Sequence, residues 1–447
     1  MSNLNEILFD EGAWIYVAIV ALLWFIHGLI KTIVHARARS AYRESVEAGL
    51  TEPASLHPVI DPTKCRGSGA CIQACPERPA HKVLGLIDGK AELIDPTSCI
   101  GHGACAAACP FDAITLVFGT ERRGVDIPMV SPEYETNVSG LYIAGELGGM
   151  GLIRNAVNQG KQAMESIGKR LKQLPAADSP DVFDVLIVGA GPAGLSASLS
   201  AKEQGLNYVT IEQESLGGTV FQFPRNKLVM TAPVVLPIVG QVNFRETSKE
   251  ALLEFWEGVV EKHPINTHFS EKVEDIQKEG DIFVVKTDQD TYRARTVLLA
   301  IGRRGTPRKL GVPGEDQSKV VYRLIDPEQY RGQHVLVVGG GDSALEAATS
   351  IAEVPGTTVT LSYRSGAFSR AKKKNRDKVE QFDKDGKLTV MLNSNVQSFS
   401  EKHVTIEQEG QIHEIPNDGA IICAGGILPM GFLKSIGVEV ETKFGTA

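Results

Sequence analysis

Six of the seven cysteines in this 447-residue chain lie in two short runs with the same spacing. The second run repeats the first at a distance of 34 residues, which indicates an internal duplication. The two runs are Cys65, Cys71 and Cys75-Pro76, and Cys99, Cys105 and Cys109-Pro110. Closely spaced thiolates bind soft metals, so the expected chemistry is that of zinc or of iron–sulfur clusters. The pattern favours a reducing compartment over a secreted disulfide framework.

Both runs resemble the Cys-x2-Cys-x2-Cys-x3-Cys-Pro motif of two-cluster bacterial ferredoxins, with one departure each. Ser68 stands at the second ligand position of the first run, and His102 at that position of the second. Because the last cysteine of each ferredoxin run ligates the other cluster, the resemblance implies two ligand sets: Cys65, Cys71 and Cys109, and Cys99, Cys105 and Cys75. Three thiolates suit a 3Fe-4S cluster, or a 4Fe-4S cluster completed by serine, histidine or solvent. Zinc and an empty, degenerate scaffold are the alternatives.

A hydrophobic strand at 184–188 leads into a GxGxxG motif that opens a predicted helix. The motif residues are Gly189, Gly191, Pro192, Ala193 and Gly194. The next strand ends at Glu212, about 20 positions further on, as in dinucleotide-binding βαβ units. In such units the glycines let a pyrophosphate approach the helix N-terminus, and the acid accepts hydrogen bonds from the ribose.

A second motif of this kind follows a strand at 334–338. Its residues are Gly339, Gly341, Asp342, Ser343 and Ala344. The next strand ends without a carboxylate, because Arg364 stands there, with Arg370 and lysines 372–374 just beyond. Arginine in place of the acid suits a 2′-phosphate, so NADP is favoured over NAD. The alternative interpretation of this basic run is a solvated helix start.

Together these motifs resemble the thioredoxin-reductase-like flavoproteins, which have one FAD-binding and one NAD(P)-binding domain. The segment Gly217, Gly218 and Thr219 resembles the stretch that these flavoproteins pass near the isoalloxazine. Thioredoxin reductases also carry a redox Cys-x-x-Cys before the nicotinamide glycines, and residues 321–332 contain no cysteine. The pattern is therefore closest to thioredoxin-reductase-like ferredoxin–NADP reductases, which move electrons without a disulfide. Cys423 has no partner in the sequence and is expected to be a core cysteine.

The flavin-binding tail that ends this family's chains is expected upstream here. Residues 136–146 resemble the family's Thr-x-x-x-Gly…Gly-Asp motif, whose acid binds the flavin ribityl chain. The resemblance implies flavin contacts from Gly145 and Glu146, with glutamate in place of aspartate, and a helix over 152–171. The reductase is therefore predicted to be circularly permuted, with its tail before its body.

Residues 13–34 form an almost unbroken apolar run. As a helix it spans about 33 Å, against about 30 Å for a hydrocarbon core. Acidic residues precede the run and basic residues follow it: Glu6, Asp10 and Glu11, then Lys31, Arg37, Arg39 and Arg43. The positive-inside rule predicts a single-pass anchor in a bacterial cytoplasmic membrane, with the soluble bulk on the cytoplasmic side. The alternative, a cleaved signal peptide, needs a basic start.

The composition is 43% apolar and 22% charged with a net charge of −8, which excludes a disordered or polytopic membrane chain and disfavours nucleic-acid binding. The expected fold is α/β: two Rossmann-like dinucleotide-binding domains, a small α+β ferredoxin-like domain and one N-terminal transmembrane helix. The expected divisions are the N-terminal segment and transmembrane helix (1–34), juxtamembrane helix and linker (35–57), ferredoxin-like domain (58–117), permuted C-terminal part of the FAD domain (118–172), FAD-binding domain (181–303), NAD(P)-binding domain (304–416) and return to the FAD domain (417–447).

These features predict a membrane-anchored oxidoreductase with FAD, NAD(P)H and two iron–sulfur clusters. It would move electrons between NAD(P)H and a redox partner protein or membrane electron carrier, with no nucleic acid and with a homodimer as an option. Hydride and electron transfer need no general acid, base or nucleophile, so no catalytic side chain is predicted. The alternative is a catalytically silent redox sensor or accessory electron-transfer subunit of a membrane complex, in which the departures at Ser68 and His102 prevent turnover.

Overall fold

The computed structural model describes residues 11–47, 53, 56–78, 82–99, 101, 103–119, 124–148, 152–175, 179, 181–231, 233–244, 246–369 and 371–445. The chain divides into two compact units. The first contains the residues up to Val117, and the second runs from Phe118 to Gly445. Each unit has its own core.

Both units contain helices and strands. The helices are α1 (Glu11–Glu47), α2 (Ala70–Ala74), α3 (Ala104–Ala107), α4 (Ile153–Leu171), α5 (Pro192–Glu203), α6 (Lys249–Lys262), α7 (Asp342–Ala352), α8 (Lys373–Lys384) and α9 (Met430–Ser435). The strands are β1 (His57–Ile60), β2 (Leu84–Ile87), β3 (Lys90–Leu93), β4 (Ile114–Val117), β5 (Val125–Pro128), β6 (Leu141–Ile143), β7 (Val182–Val188), β8 (Tyr208–Glu212), β9 (Leu228–Met230), β10 (Val234–Leu236), β11 (Gly240–Val242), β12 (Glu246–Ser248), β13 (Thr267–Phe269), β14 (Val273–Glu279), β15 (Ile282–Thr287), β16 (Thr291–Leu299), β17 (Thr306–Pro307), β18 (Val320–Val321), β19 (His334–Val338), β20 (Thr358–Ser362), β21 (Thr389–Met391), β22 (Ser394–Phe399), β23 (His403–Gln408), β24 (Gln411–Pro416), β25 (Gly419–Ile422), β26 (Gly426–Ile427) and β27 (Val440–Lys443).

Helix α1 continues without a break from the apolar run into the basic segment that follows it. From Trp14 onward it is long and apolar enough to cross a membrane, with a mean hydropathy of 2.2 in its most apolar window and none of that window buried. Its later turns pack on the rest of the first unit, where Ala38 and Ser45 are buried. The juxtamembrane helix expected within residues 35–57 is the second half of α1, which continues from the apolar run as far as Glu47.

The duplicated cysteine runs form two matching short helices in the first unit. Gly69 and Gly103 precede α2 and α3 in the left-handed conformation, with φ of 72° and 82°. Only glycine adopts this conformation cheaply, so the backbone can turn sharply before each helix. Antiparallel pairs β1–β4 and β2–β3 support the helices. The result is the small α+β unit that the sequence predicts.

A largely parallel sheet lies at the centre of the second unit, in the order β13-β8-β7-β16-β15-β14. Strand β6, from the upstream segment, pairs in parallel with β16, with Leu141 opposite Val297 and Ile143 opposite Leu299. All four side chains are fully buried in one core cluster. The upstream segment therefore belongs to the same sheet as the first glycine motif.

Strands β5 and β27 also join residues that are distant in the sequence. They pair antiparallel, with Pro128 opposite Val440 and Val125 opposite Lys443. Asn137 reinforces this contact by donating a hydrogen bond to the carbonyl oxygen of Gly437 at 2.8 Å and accepting one from the backbone N–H of Glu439 at 2.9 Å. The segment after the first unit is thus fixed to β27.

A second parallel sheet has the order β18-β25-β19-β20-β21 and carries the second glycine motif. Strand β25 pairs with β19 inside this sheet, whereas the sequence analysis assigned residues from 417 onward to the return into the FAD domain. The return begins only at β26, which pairs with β17. Strand β25 lies inside the second sheet, between β18 and β19, and all four of its residues are buried there.

Helices α4 and α5 approach each other so closely that only glycine fits between them. A Cβ atom at Gly160 of α4 would lie 2.1 Å from the carbonyl oxygen of Ala193. Eight residues further along α4, a Cβ atom at Gly168 would meet only Oε1 of Gln204, which is the end of a flexible side chain. A side chain at Gly160 would therefore meet rigid backbone, whereas one at Gly168 would meet a flexible side chain.

We expect Gly160→Ala to lower the melting temperature and the retained FAD, because the added methyl group must separate two packed helices. Overpacking of this kind costs about 1–3 kcal/mol. Gly168→Ala is the matched control and should change stability little, since Gln204 can rotate away. Thermal unfolding and flavin content of the purified variants are the measurements. Equal stability of both variants would contradict the packing argument.

Candidate cofactor sites

The first cavity of the small unit is lined by three cysteines that are distant in the sequence. Its polar lining consists of Cys65, Cys71 and Cys109 together with Ser68 and Arg66. The backbone N–H of Ala91 points at Sγ of Cys65 at 3.4 Å. That of Ala113 points at Sγ of Cys109 at the same distance. Such N–H···S contacts stabilise thiolate charge around an iron–sulfur cluster and tune its potential.

A second cavity is lined by Cys75, Cys99 and Cys105, with Val83, Leu84 and Leu116 as its apolar wall. The structure thus groups the six cysteines as the crossed ferredoxin pattern implies. His102 lies outside the described residues, so its ligation stays a prediction. Ser68 lines the first cavity, but its hydroxyl accepts only a long contact of 3.5 Å from the N–H of Ala70.

The cysteines are buried or half-buried, which affects the charge of their thiols. Burial raises the pKa of Cys99 to about 11 and also raises the pKa of Cys71, Cys75 and Cys105. Metal ligation requires thiolates, which the apolar walls do not stabilise. Binding of iron would therefore have to stabilise the thiolate charge. Among the described residues, no three His, Cys, Asp or Glu side chains converge on a point that one metal ion could occupy.

The first glycine motif packs tightly against the end of the neighbouring strand. A Cβ atom at Gly189 would lie 2.6 Å from the carbonyl oxygen of Ala300, and one at Gly194 would lie 1.7 Å from that of Gly189. Pro192 begins α5, where its missing N–H loses no helical hydrogen bond. These contacts force the sharp turn that presents the N-terminus of α5 to a pyrophosphate.

Glu212 is buried at the end of β8 beside this turn. Its Oε2 accepts a hydrogen bond from the N–H of Ala190 at 2.7 Å, and its Oε1 accepts one from the N–H of Glu214 at 2.9 Å. Burial raises the pKa of Glu212, and these two N–H groups partly oppose that rise. Nearby Oγ of Ser215 is buried with no hydrogen-bond partner among the described residues. A ribose hydroxyl group would suit both side chains.

The loop that follows Glu212 completes one side of the groove. The N–H of Gly217 donates to the carbonyl oxygen of Ala190 at 3.0 Å. A Cβ atom at Gly218 would lie 3.1 Å from Cα of Gly191. Thr219 follows, with its hydroxyl oxygen 3.8 Å from the position of a Cβ atom at Gly302. The predicted isoalloxazine loop therefore contacts the first glycine motif.

The upstream motif reaches the same place. The N–H of Ala144 donates to the carbonyl oxygen of Leu299 at 3.0 Å. Gly145 follows with φ of 87°, and a Cβ atom there would lie 3.0 Å from Cβ of Ala193. Its N–H donates to Oε1 of Gln159 on α4 at 2.8 Å. The structure thus brings Gly145 and the first glycine motif to one groove.

Glu146 is mostly buried, with two arginines nearby that the sequence analysis did not single out. Burial raises the pKa of Glu146, and the guanidinium groups of Arg303 and Arg304 lower it in part. Arg303 also donates to the carbonyl oxygen of Asp126 at 2.9 Å. Both arginines directly follow Gly302, just beyond the end of β16. This position after the strand was the sequence signal that could have identified them. The groove therefore combines one buried acid with two cations.

The second glycine motif opens α7 in the other parallel sheet. A Cβ atom at Gly339 would lie 2.5 Å from the carbonyl oxygen of Cys423, whereas the space at Gly341 is open. Asp342, Ser343 and Ala344 form the first turn of α7. Oδ1 of Asp342 accepts hydrogen bonds from the N–H of Lys372 and from Nδ2 of Asn375, each at 2.8 Å. Asp342 therefore links α7 to α8 beside the open space at Gly341.

Arg364 lies exposed two residues beyond the end of β20, while Arg370 is outside the described residues. The sequence analysis missed Tyr363 beside it. This ring lies over Gly340, where a Cβ atom would meet it at 2.3 Å. It stacks on Phe368 at a centroid distance of 5.5 Å. The aromatic pair forms one wall beside the glycine motif.

Cys423 follows β25 next to this second motif rather than beside the predicted flavin groove. Burial raises the pKa of its thiol to about 11. It is the single cysteine of residues 118–445, so the second unit has no partner thiol for a disulfide. These surroundings suit the structural role predicted for it.

Two family models match the chain. One, described as pyridine nucleotide-disulphide oxidoreductase, matches residues 186–445, and the other, described as a 4Fe-4S dicluster domain, matches residues 57–110. A ferredoxin–NADP reductase of Ignicoccus hospitalis is 30% identical over 276 residues, covering 58% of this chain and 83% of the relative. The bacilliredoxin reductase Bdr of Bacillus subtilis is 28% identical over 266 residues, covering 58% of this chain and 82% of the relative. The solved bacillithiol disulfide reductase of Staphylococcus aureus has a TM-score of 0.52 and 27% identity, covering 57% of this chain and 80% of its own.

The crossed cysteine sets predict which variants share a defect. Cys71→Ala and Cys109→Ala should lose the same paramagnetic resonance signal, and Cys75→Ala and Cys105→Ala the other one, because each pair lines one cavity. Cys423→Ala is the control and should keep both signals. Spectra of dithionite-reduced protein and iron counting are the measurements. A shared defect of Cys71→Ala and Cys75→Ala would contradict the grouping.

Proposed function

Because the chain belongs to the pyridine nucleotide-disulphide oxidoreductase family and also carries a 4Fe-4S dicluster domain, we propose that it moves electrons between NAD(P)H and a one-electron or membrane redox partner. The predicted resemblance to thioredoxin-reductase-like flavoproteins and to ferredoxins is confirmed, and so is the prediction of an NAD(P)H-dependent oxidoreductase. Membership of the family implies FAD and NADP(H) as cofactors.

The observation that carries the proposal is the distribution of thiols. The second unit has Cys423 alone, so electrons from NAD(P)H have no dithiol in that unit to enter. The other six cysteines line two cavities of the first unit. A route through iron–sulfur clusters therefore fits the side chains better than disulfide reduction does.

The residues of the groove suit FAD. When bound, FAD supplies the conversion between a hydride from NAD(P)H and single electrons. Glu212 and Ser215 would hold the ribose, and the N-terminus of α5 would hold the pyrophosphate. Arg303 and Arg304 place positive charge near Glu146, which favours the added negative charge of a reduced flavin. The chain's own contribution is thus binding, orientation and electrostatics.

We infer further that residues 118–172 are the family's C-terminal flavin-binding tail, moved upstream by circular permutation. The parallel pairing of β6 with β16 and the contact of Gly145 with Ala193 support this inference. The antiparallel pairing of β27 with β5 supports it too. Joined by a short turn, those two strands would form an ordinary hairpin.

We also propose two clusters, one in each cysteine cavity, and a membrane anchor formed by the first part of α1. The two separate sets of three cysteines support the number of clusters. The exposed apolar surface from Trp14 to Val34, with basic residues on its C-terminal side, supports an anchor that leaves both units in the cytoplasm.

Anaerobic titration of the full-length protein with NADPH tests the proposal. The flavin absorbance should bleach, and ferricyanide should then be reduced with continued turnover. Protein that binds FAD and iron but neither bleaches nor turns over would contradict an enzyme. That result would favour a silent sensor or accessory subunit.

Arg364→Ala should raise the KM for NADPH about tenfold and leave the KM for NADH almost unchanged. A charge-assisted hydrogen bond to a 2′-phosphate contributes about 1.5–3 kcal/mol, and only NADPH has that group. Steady-state ferricyanide reduction with both nucleotides measures the effect. Lys384→Ala, an exposed cation at the end of α8, is the control. Equal changes for both nucleotides would argue against 2′-phosphate recognition.

A further inference from the structure

One histidine lies where the apolar part of α1 gives way to the part that packs on the first unit. His35 directly follows the apolar run and precedes the buried Ala38 by three residues. Its Nε2 atom is buried and has no hydrogen-bond partner among the described residues. A buried polar atom without a partner is destabilising, and a ligand that supplied one hydrogen bond would remove this cost.

The same turn of α1 packs against β2, the strand that contributes to the wall of the second cysteine cavity. Gly85 of β2 lies so close to Ala38 that a Cβ atom there would come within 2.9 Å of the alanine Cβ. The residue before Gly85 is Leu84, which lines the cavity of Cys75, Cys99 and Cys105. From His35 to Ala38 the helix rises only about 4.5 Å.

Arg39 holds this contact in place from the other side. Its guanidinium group forms an ion pair with Asp88, in the turn between β2 and β3. Helix α1 and the hairpin that forms one cavity wall are therefore joined by apolar packing and by charge. The place where α1 would leave a membrane has a fixed position relative to the second cysteine cavity.

We propose that His35 binds the head group of a lipid-soluble quinone at this junction. The inference rests on the proposed function, which supplies the reducing electrons. It makes the quinone the membrane redox partner and places it beside the hairpin of β2 and β3, which lines both cysteine cavities. A quinone carbonyl oxygen can accept a hydrogen bond from an N–H group at Nε2 of His35. The apolar tail of the quinone matches the exposed apolar surface of α1 that ends at Val34.

The stoichiometry of the reaction balances without a further reactant. NAD(P)H, one proton and the quinone give NAD(P)+ and the quinol. NAD(P)H is oxidised by two electrons, and both quinone oxygens become hydroxyl groups. The two protons of the quinol come from the solvent, into which the oxidation of NAD(P)H releases one.

Binding is tested first, without turnover, on full-length protein in phosphatidylcholine nanodiscs. The probe is a photoreactive decyl-ubiquinone that crosslinks to residues within reach of its head group. We expect saturable labelling of the peptide that contains His35. Affinity should fall at least tenfold in His35→Leu and be partly restored in His35→Gln, which keeps a hydrogen-bonding side chain.

His27→Leu is the matched control. It removes a histidine from the exposed apolar part of the same helix, eight residues earlier, and should leave quinone affinity unchanged. In quinone-free nanodiscs, His35→Leu should melt no lower than the parent protein, because an apolar side chain removes an unpartnered buried nitrogen. A marked loss of stability would assign His35 a structural role and overturn the proposal.

Activity measurements separate failure of this inference from failure of the proposed function. The proposal expects NADPH to reduce ferricyanide in all variants and decyl-ubiquinone much more slowly in His35→Leu. Ferricyanide reduction without any quinone reduction would overturn the quinone site and leave the reductase intact. Loss of both reactions in the parent protein would overturn the reductase itself. Labelling abolished by phosphatidylglycerol would identify an anionic lipid site and also overturn the proposal.

Discussion

Only glycine fits between α4 and the start of α5, and the flavin groove depends on that close approach. Gly160 places the backbone of α4 against Ala193, inside the first glycine motif. Gly145, just before α4, meets the same alanine. Ala193, a small residue of the motif, thus contacts the upstream segment at both Gly145 and Gly160. A larger residue at either glycine would open the groove where the flavin must be enclosed.

Burial of ionisable groups is the second constraint. It makes the stability of the flavin groove and of the cysteine cavities depend on the cofactors that they bind. Glu212 and Glu146 are acids in apolar surroundings, where N–H groups and arginines offset part of the desolvation. In the cysteine cavities, burial likewise raises the pKa of Cys99, and one backbone N–H group opposes that rise in part. Sites of this kind gain stability when a cofactor supplies the missing partner, and folding and cofactor loading become linked.

Local motifs were predictable from the sequence because they depend on neighbouring residues. The turn at Gly189 and the cysteine repeat each follow from glycine conformation or ligand spacing within one segment. Pairings across the chain were less accessible. The contact of Tyr363 with Gly340 results from strand placement, which no spacing in the sequence encodes. The resemblance to a known family indicated that the upstream segment belongs with the flavin fold, whereas β25 was assigned to the wrong sheet because buried strands of both sheets have the same apolar pattern.

The order of the strands along the chain also has a consequence for synthesis on the ribosome. Strand β6 is made long before its neighbour β16, and β5 before its neighbour β27. Leu141 and Ile143 therefore stay without their native cover until more than a hundred further residues have emerged. Exposed apolar segments of nascent chains invite aggregation. The nascent protein therefore exposes these apolar residues for longer than a chain in which the paired strands are made in close succession.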